Sequence, residues 1–471
     1  MGQFFTPAPI AAFMAQMFTH TQGEVCRLLD AGAGIGSLSA AFLERCVADG
    51  FSYRRIEADL FEIDEDLHPY LTKLVEEYQA QLGLLAMIRG EDFVKAAAAS
   101  ISGGLFQPPQ SKYTHAILNP PYKKIHSNSA HRELLRQAGI ETVNLYAAFV
   151  ALSLALLEHG GQLVAIIPRS FCNGPYYRPF RKFMLKHAAI RRIHLFASRD
   201  SAFRDDDVLQ ENVIIMLERG GAQEEVVVTT STDDRFNDIA TQRHQFDRIV
   251  FPSDSDGFIH VPTSPGRSHI ELSEAISHSL AELGIQVSTG PVVDFRLKDY
   301  LLQMPVAGSV PLVYPVHFDG HSIHWPINDS KKPNAIERSN MTEKWLYPIG
   351  CYCLVRRFSS KEERRRIVAS VVLPSDFPDT EAIAFENHLN VFHEHRRGLP
   401  EALARGLSVF LSTTAVDEYF RRFNGHTQVN ANDLRSMKYP SRLKLTALGE
   451  WMITNPSPTQ EQVDKQLEKL S

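Results

Sequence analysis

Nothing in this chain is arranged to hold a metal through cysteine. Its five cysteines, Cys26, Cys46, Cys172, Cys351 and Cys353, show no paired ligand spacing, which argues against a zinc module and suits a reducing compartment where thiols stay free. Cys351 and Cys353 are expected on one face of a strand. Long apolar runs are missing as well. The most apolar stretch, Leu145 to Leu157 followed by Gln162 to Pro168, is interrupted by Glu158, His159, Gly160 and Gly161, so neither piece reaches the roughly 20 residues of a membrane-spanning helix. The start, MGQFFTPAPIAAFMAQMF, lacks the basic residues that open a secretory signal. A cytoplasmic protein with no membrane role is the expectation. An excess of positive charge is also absent, the formal net charge being −6. That excludes indiscriminate adhesion to nucleic acid while leaving room for local basic patches. No internal repeat or low-complexity tract interrupts the chain.

What remains is 471 residues, 44% of them apolar, enough for two folded domains. From Cys26 to about Arg219, short apolar runs alternate with helical patterns at roughly 30-residue spacing, the length of one βαβ unit. The expected strands are Val25–Asp30, Ile56–Ile63, Ala86–Ile88, His115–Asn119, Gln162–Ile167, Ile190–Leu195 and Val213–Leu217, a rhythm that predicts a doubly wound, mostly parallel α/β sheet. Residues 251–268 are rich in Ser, Asp, Gly and Pro and are expected to be a connector. The domains are accordingly drawn at 1–245 and 270–471, the second of mixed α+β character with short strands and irregular turns.

Chemistry concentrates at the ends of the expected strands. Leu28-Leu29-Asp30-Ala31-Gly32-Ala33-Gly34-Ile35-Gly36 is an apolar strand, an acid and a glycine turn opening a helix, where backbone can approach a nucleotide-like ligand. Its G-x-G-x-G spacing differs from the dinucleotide fingerprint and resembles the binding turn of S-adenosylmethionine-dependent methyltransferases. By itself it is equally a tight turn. Glu62, beside Ile63 at the end of the second strand, stands where open α/β sheets hold ribose hydroxyls; Asp64 and Asp66 suit helix capping better. After the third strand, Asp92 is placed to accept from an adenine amino group, with Phe93 packing nearby. Asn119-Pro120-Pro121-Tyr122 follows the apolar Ala116-Ile117-Leu118 and matches a demanding reaction. An exocyclic amine is a poor nucleophile because its lone pair is delocalised into the ring. The Asn119 side-chain oxygen and the Pro120 carbonyl can each accept one N–H, the prolines stiffen the turn, and Tyr122 offers a stacking face. No metal is required. A strand followed by an inert Asn-Pro turn is the plainer alternative.

In motif order the chain resembles a gamma-class adenine-N6 DNA methylase of a type II restriction-modification system. Gln3-Phe4-Phe5-Thr6-Pro7 resembles that family's amino-terminal motif, in which Thr6 and Pro7 lie beside the methionine end of the cofactor. The order then runs through Asp30 and Gly32, Gly34 and Gly36, to Glu62 with Ile63, Asp92 with Phe93, Asn119–Tyr122, and Gly160 to Pro168. The resemblance implies S-adenosyl-L-methionine as cofactor, double-stranded DNA as substrate, an adenine extruded between two domains, a separate restriction endonuclease as functional partner, and a Rossmann-like class I fold followed by a target-recognition domain. It also implies an aromatic that stacks on the extruded base. Phe203 is the candidate with Tyr122; Phe196 is the alternative, and either could be a core residue. A monomer is expected of a chain that carries both domains.

DNA contact is expected from Arg169, Arg178, Arg181 and Lys182, within a segment ending at Arg191 and Arg192 that contains Lys186 but no acid. A second cluster holds Arg356, Arg357, Lys361, Arg364, Arg365 and Arg366. Each could instead be a solvated face. In the carboxy-terminal half, Ser288–Val293 and Phe423–Asn430 resemble segments of such recognition domains. Asn424, His426, Gln428, Asn430 and Asn432 could read base edges or satisfy their own turns. His393 and His395 are expected on different faces of a helix and so not on one metal. A protein-glutamine N5-methyltransferase shares the Asn-Pro-Pro-Tyr turn but not the long second domain. A cytosine-N4 methylase more often has Ser or Thr where Asn119 stands, and a modification subunit dependent on a partner would not need the full motif set. A fused nuclease is argued against, since no acid two places before a lysine follows Pro378-Asp379.

Overall fold

The computed structural model describes residues 6–20, 23–48, 51, 53–102, 113–196, 211–252, 254, 256–262, 275–359, 363–423 and 428–469. The chain divides into two compact units, Met1–Pro265 and Gly266–Ser471. In the first, strands β1 (Val25–Ala31), β2 (Arg55–Phe61), β3 (Leu85–Arg89), β4 (Tyr113–Leu118), β5 (Leu157–Pro168), β6 (Ala188–Phe196), β7 (Asn212–Arg219), β8 (Val226–Ser231) and β9 (Ala240–His244) form one sheet. Their order is β3-β2-β1-β4-β5-β7-β6-β8-β9. β3, β2, β1, β4 and β5 pair in parallel, and β7 lies antiparallel between β5 and β6. The doubly wound, mostly parallel sheet expected from the sequence is present. It extends by two strands, β8 and β9, beyond the seven that were read. The second strand is shorter than expected: it stops at Phe61, leaving Glu62 and Ile63 in the loop after the strand.

Helices α1 (Ala8–Met17), α2 (Ser37–Val47), α3 (His68–Leu82), α4 (Phe93–Ser102), α5 (Ala130–Gln137), α6 (Leu145–Leu156) and α7 (Arg178–His187) cover the sheet. Successive strand residues point to opposite faces, and here both faces are covered. Leu29, Ala116, Leu163, Ala165 and Ile215 pack with α4 to α7; Leu28, Ile117, Val164, Ile166 and Ile214 pack with α1 to α3. That is why the central strands read as unbroken apolar runs rather than alternating ones. Each such leucine, isoleucine or valine side chain contributes roughly 1.5–3 kcal/mol when fully buried. No helix among the described residues is long and apolar enough to cross a membrane.

The division between the two units falls within the connector expected at 251–268, but part of that stretch packs into the first unit. Ile249 and Ile259 are fully buried and Val261 nearly so, in the core of the first unit. The Ile259 amide donates to the Cys172 carbonyl at 2.9 Å and that of His260 to Ile249 at 2.7 Å. A few apolar side chains anchor this stretch, and its polar composition hides them.

The second unit is built of short pieces. One sheet contains Gln286–Thr289, Leu389–His393, Tyr352–Arg356 and Ala369–Val372, and another is made of five strands of two to five residues each. Helices Glu401–Leu411 and Arg442–Thr454 cross so closely that a β-carbon on Gly406 would fall 1.7 Å from the Leu445 carbonyl oxygen, and one on Gly449 1.6 Å from that of Ala402. Only glycine fits at that crossing. Cys353 lies buried in its strand, with half-buried Cys351 just ahead of it. The helix expected around His393 is a strand end, and His395 sits in the following turn at φ 46°. Among the described residues no group of three or more His, Cys, Asp or Glu is placed to hold a metal.

Candidate active site

The glycine turn after β1 is fixed by the end of β2. Gly32 and Ala33 amides donate to the Phe61 carbonyl at 2.9 and 2.8 Å, and the Gly34 amide donates to Glu62 Oε2 at 2.8 Å. Glu62 Oε1 accepts from the Asp64 amide at 2.8 Å, so this buried carboxylate braces the turn from the loop that follows β2. Gly36 caps α2 at φ 87°, and a β-carbon there would come within 2.7 Å of Leu74. The backbone conformation and the close approach both exclude other residues.

Asp30 lies under this turn, fully buried. Ser39 donates to its Oδ2 at 2.6 Å, while Oδ1 has no partner among the described residues. Burial, only partly offset by Ser39, pushes its carboxyl up to about 7. Ile63 is 63% exposed next to Glu62, an apolar surface of the kind a purine ring covers. Asp92 is already engaged, with Oδ1 accepting from the Lys95 amide at 3.1 Å and Oδ2 lying 2.7 Å from His131 Nε2. Phe93 departs from its expected role. Its ring is buried at 5.1 Å from Phe61 and 5.0 Å from Phe149, so it is a core residue with little surface left for a ligand.

Asn119 follows β4 directly. Its Nδ2 donates to Thr6 Oγ1 at 3.1 Å, and the Tyr122 hydroxyl lies 3.3 Å from both Asn119 Oδ1 and the Ile166 carbonyl oxygen. Burial holds that hydroxyl well above its usual range, so it stays protonated and able to donate. Thr6 reaches this point because the segment containing α1 is tied to β5: Thr19 and Gln162 exchange two hydrogen bonds, at 2.9 and 2.7 Å. Pro7 caps α1, its carbonyl accepting from Ala11 at 2.9 Å. The strand ends thus gather Thr6, Asn119 and Tyr122 at one point, and Gly34 with Glu62 at another. A cluster that sequence reading missed adjoins Tyr122: Tyr146, 6.1 Å away ring to ring, whose hydroxyl is 3.2 Å from Ser170 Oγ, with Tyr177 and Asn144 bonded beyond. The tyrosine in the largely apolar α6 was its only signal.

The basic strip is largely corrected. Arg169 is buried and pairs with Glu211 at 2.8 Å. Arg181, with no exposed surface, donates to the Phe171, Gly174 and Asp256 carbonyls at 2.9, 2.7 and 3.1 Å. Both are structural, because a buried guanidinium needs fixed acceptors. Arg178 pairs with Asp256 at 2.7 Å near the surface, Arg191 pairs with Glu218, and Lys182 and Lys186 are exposed. In the second unit Arg366 is buried and Arg356 pairs with Glu363. Arg357 donates to the Asn387 carbonyl and to Gln428 Oε1, both at 3.2 Å. Phe196 is a buried neighbour of Phe236 and His194, a core aromatic. Phe203, Lys361, Asn424 and His426 lie outside the described residues.

Comparison with known proteins now bears on this arrangement. Residues 79–203 match the model of the Eco57I restriction-modification methylase family. Over its whole length the chain is 51% identical to the type II methyltransferase M.BsuBI of Bacillus subtilis, covering 94% of that protein. The chain belongs to the type II methyltransferases of restriction-modification systems. It is also 43% identical to M.PstI of Providencia stuartii, across 94% of this chain and 88% of that one. These relatives agree with the gamma-class resemblance read from the motif order. The methyltransferase therefore carries its glycine turn and its Asn-Pro-Pro-Tyr turn on adjacent parallel strands, β1 and β4.

Proposed function

We propose that the methyltransferase binds S-adenosyl-L-methionine along the ends of β1 to β3 and modifies the N6 amine of an adenine extruded from double-stranded DNA. The observation that carries this reading is Asn119, whose amide nitrogen donates to Thr6, so that its side-chain oxygen is the atom that would accept from an amine. Asn119 Oδ1 and the Pro120 carbonyl accept the two N–H groups and draw the nitrogen lone pair out of conjugation. Pro121 keeps the turn rigid, and Tyr122 supports the asparagine and faces the base. Gly32, Gly34, Glu62, Ile63 and Asp92 would hold the cofactor, and the turn at Gly34 together with exposed Ile63 fits a nucleoside. When bound, the sulfonium supplies an activated methyl group, so positioning accounts for most of the rate.

The first unit is read as catalytic and the second as the sequence-recognising domain. Arg178, Lys182, Lys186 and Arg357 are read as phosphate contacts, and a separate endonuclease as the functional counterpart. The test is methylation mapping by single-molecule sequencing of DNA from a methylation-free host that expresses this chain or its Asn119→Ala variant. N6-methyladenine at one short motif, lost in the variant, is the expected result. Unmodified DNA with the wild-type chain would overturn the reading.

A further inference from the structure

We propose that His388 is a sequence-reading residue of the second unit, held by Glu386 so that its outer ring nitrogen donates a hydrogen bond to the major-groove edge of a guanine. This rests on the reading of that unit as the sequence-recognising domain. Glu386, Asn387 and His388 form the turn between strands Ala382–Phe385 and Leu389–His393. The turn is tied down on several sides. The Glu386 amide donates to the Val313 carbonyl at 3.1 Å and that of Asn387 to Val292 at 2.9 Å, and the His388 carbonyl accepts from the Arg357 amide at 2.8 Å. A β-carbon on Gly290 would fall 2.2 Å from the Glu386 carbonyl oxygen, so a neighbouring loop packs directly against it.

Glu386 is fully buried, and both of its oxygens serve one residue. Oε2 accepts from the His388 amide at 2.8 Å, and Oε1 lies 2.5 Å from His388 Nδ1. The histidine side chain is 39% exposed, so a buried acid fixes an imidazole that stands at the surface. A carboxyl bonded to one ring nitrogen sets the orientation of the ring and leaves the other nitrogen for a partner. A buried carboxylate is costly unless its charge is balanced. Burial pushes the Glu386 carboxyl up, and Asp294, itself paired with Lys332 at 2.9 Å, adds a second negative charge nearby. The pair therefore carries two hydrogens rather than one: the first lies between Oε1 and Nδ1, whichever atom holds it, and the second is on Nε2. Guanine is the base whose major-groove edge offers two adjacent acceptors, N7 and O6. Beside the ring stand Phe358, 42% exposed with its own ring 4.8 Å away, and Arg357, bonded to the Asn387 carbonyl at 3.2 Å. A fixed ring gains little at a phosphate, which accepts from many directions, and much at a base edge.

The experiment measures kcat/KM of the full chain, and of His388→Ala and His388→Gln, on duplexes carrying the mapped motif. Each guanine is replaced in turn by 7-deazaguanine, which lacks the N7 acceptor, or by adenine, which puts a donor in place of O6. At one guanine a replacement costs the wild type about 10-fold. His388→Ala starts about 10-fold lower on the unaltered duplex and loses little more at that guanine, while the other replacements cost it as much as they cost the wild type. His388→Gln, whose amide N–H stands near the place of Nε2, recovers part of the discrimination. Equal costs in the wild type and His388→Ala at every guanine overturn the inference, as does a loss that is uniform over all duplexes, the mark of a phosphate contact or of weaker folding. So does a wild-type chain indifferent to both replacements at every guanine, a check that needs no variant. A wild-type chain that methylates no DNA removes the functional reading and the inference together; one that methylates its motif, with His388→Ala behaving identically, removes the inference alone.

Discussion

At the ends of β1, β2 and β4, residues picked from the sequence stand together on short turns; just after β5 and along α7, residues picked as DNA contacts turn into the fold. Asn119, Thr6 and Tyr122 share one hydrogen-bonded point, whereas Arg169 and Arg181 are buried on Glu211 and on three backbone carbonyls. The difference lies in what kind of pattern was read. A strand end followed by fixed residue types defines position and chemistry at once. A run of like charges defines neither, because a sequence does not say which guanidinium finds an acid from a distant strand.

Four changes sharpen or break that contrast. Asn119→Ala should lower the methyl-transfer rate by about 10³-fold, on the scale of losing a group that acts at the reacting centre, with an unchanged melting temperature. A melting point that drops instead would make Asn119 a structural residue like Arg181. Next comes Asp30. Its carboxyl is raised to about 7 in the fold, so the folded chain holds that proton more tightly than the unfolded one. Its contribution is fully present below about pH 4 and is lost as pH climbs through about 7, a change bounded at about 4 kcal/mol. Urea melts of Asp30→Asn should lack that slope; an identical slope would assign it to other groups. Arg181→Met should cost about 3 kcal/mol by stranding buried carbonyls, yet leave the DNA affinity of the folded fraction intact. Weakened DNA binding without loss of stability would restore Arg181 as a contact. Smallest is Lys182→Ala, exposed on the same helix. It should leave stability alone and reduce the salt dependence of DNA binding by about one phosphate contact.

Much of the first unit was legible because a parallel sheet buried on both faces produces long apolar runs at regular spacing, as in Ile117 between Ala116 and Leu118. The edge strands β8 and β9 were not legible, since the half-exposed Val226–Ser231 and the polar Ala240–His244 carry no such run. Nor was the anchoring of Ile259 and Val261, two apolar residues in a polar stretch. At the site, Gly36 announces its turn by residue type alone. The bond from Asn119 to Thr6 joins positions 113 residues apart, which no local pattern can reveal. The second unit is harder still: strands of two to five residues are too short for a period to show.

The most direct measurement incubates the purified chain with duplex DNA and tritiated S-adenosylmethionine, digests the DNA to nucleosides and identifies the labelled one by chromatography and mass. N6-methyldeoxyadenosine as the only labelled nucleoside is the predicted result. Label in N4-methyldeoxycytidine, or in a protein glutamine and not in DNA, would contradict the account.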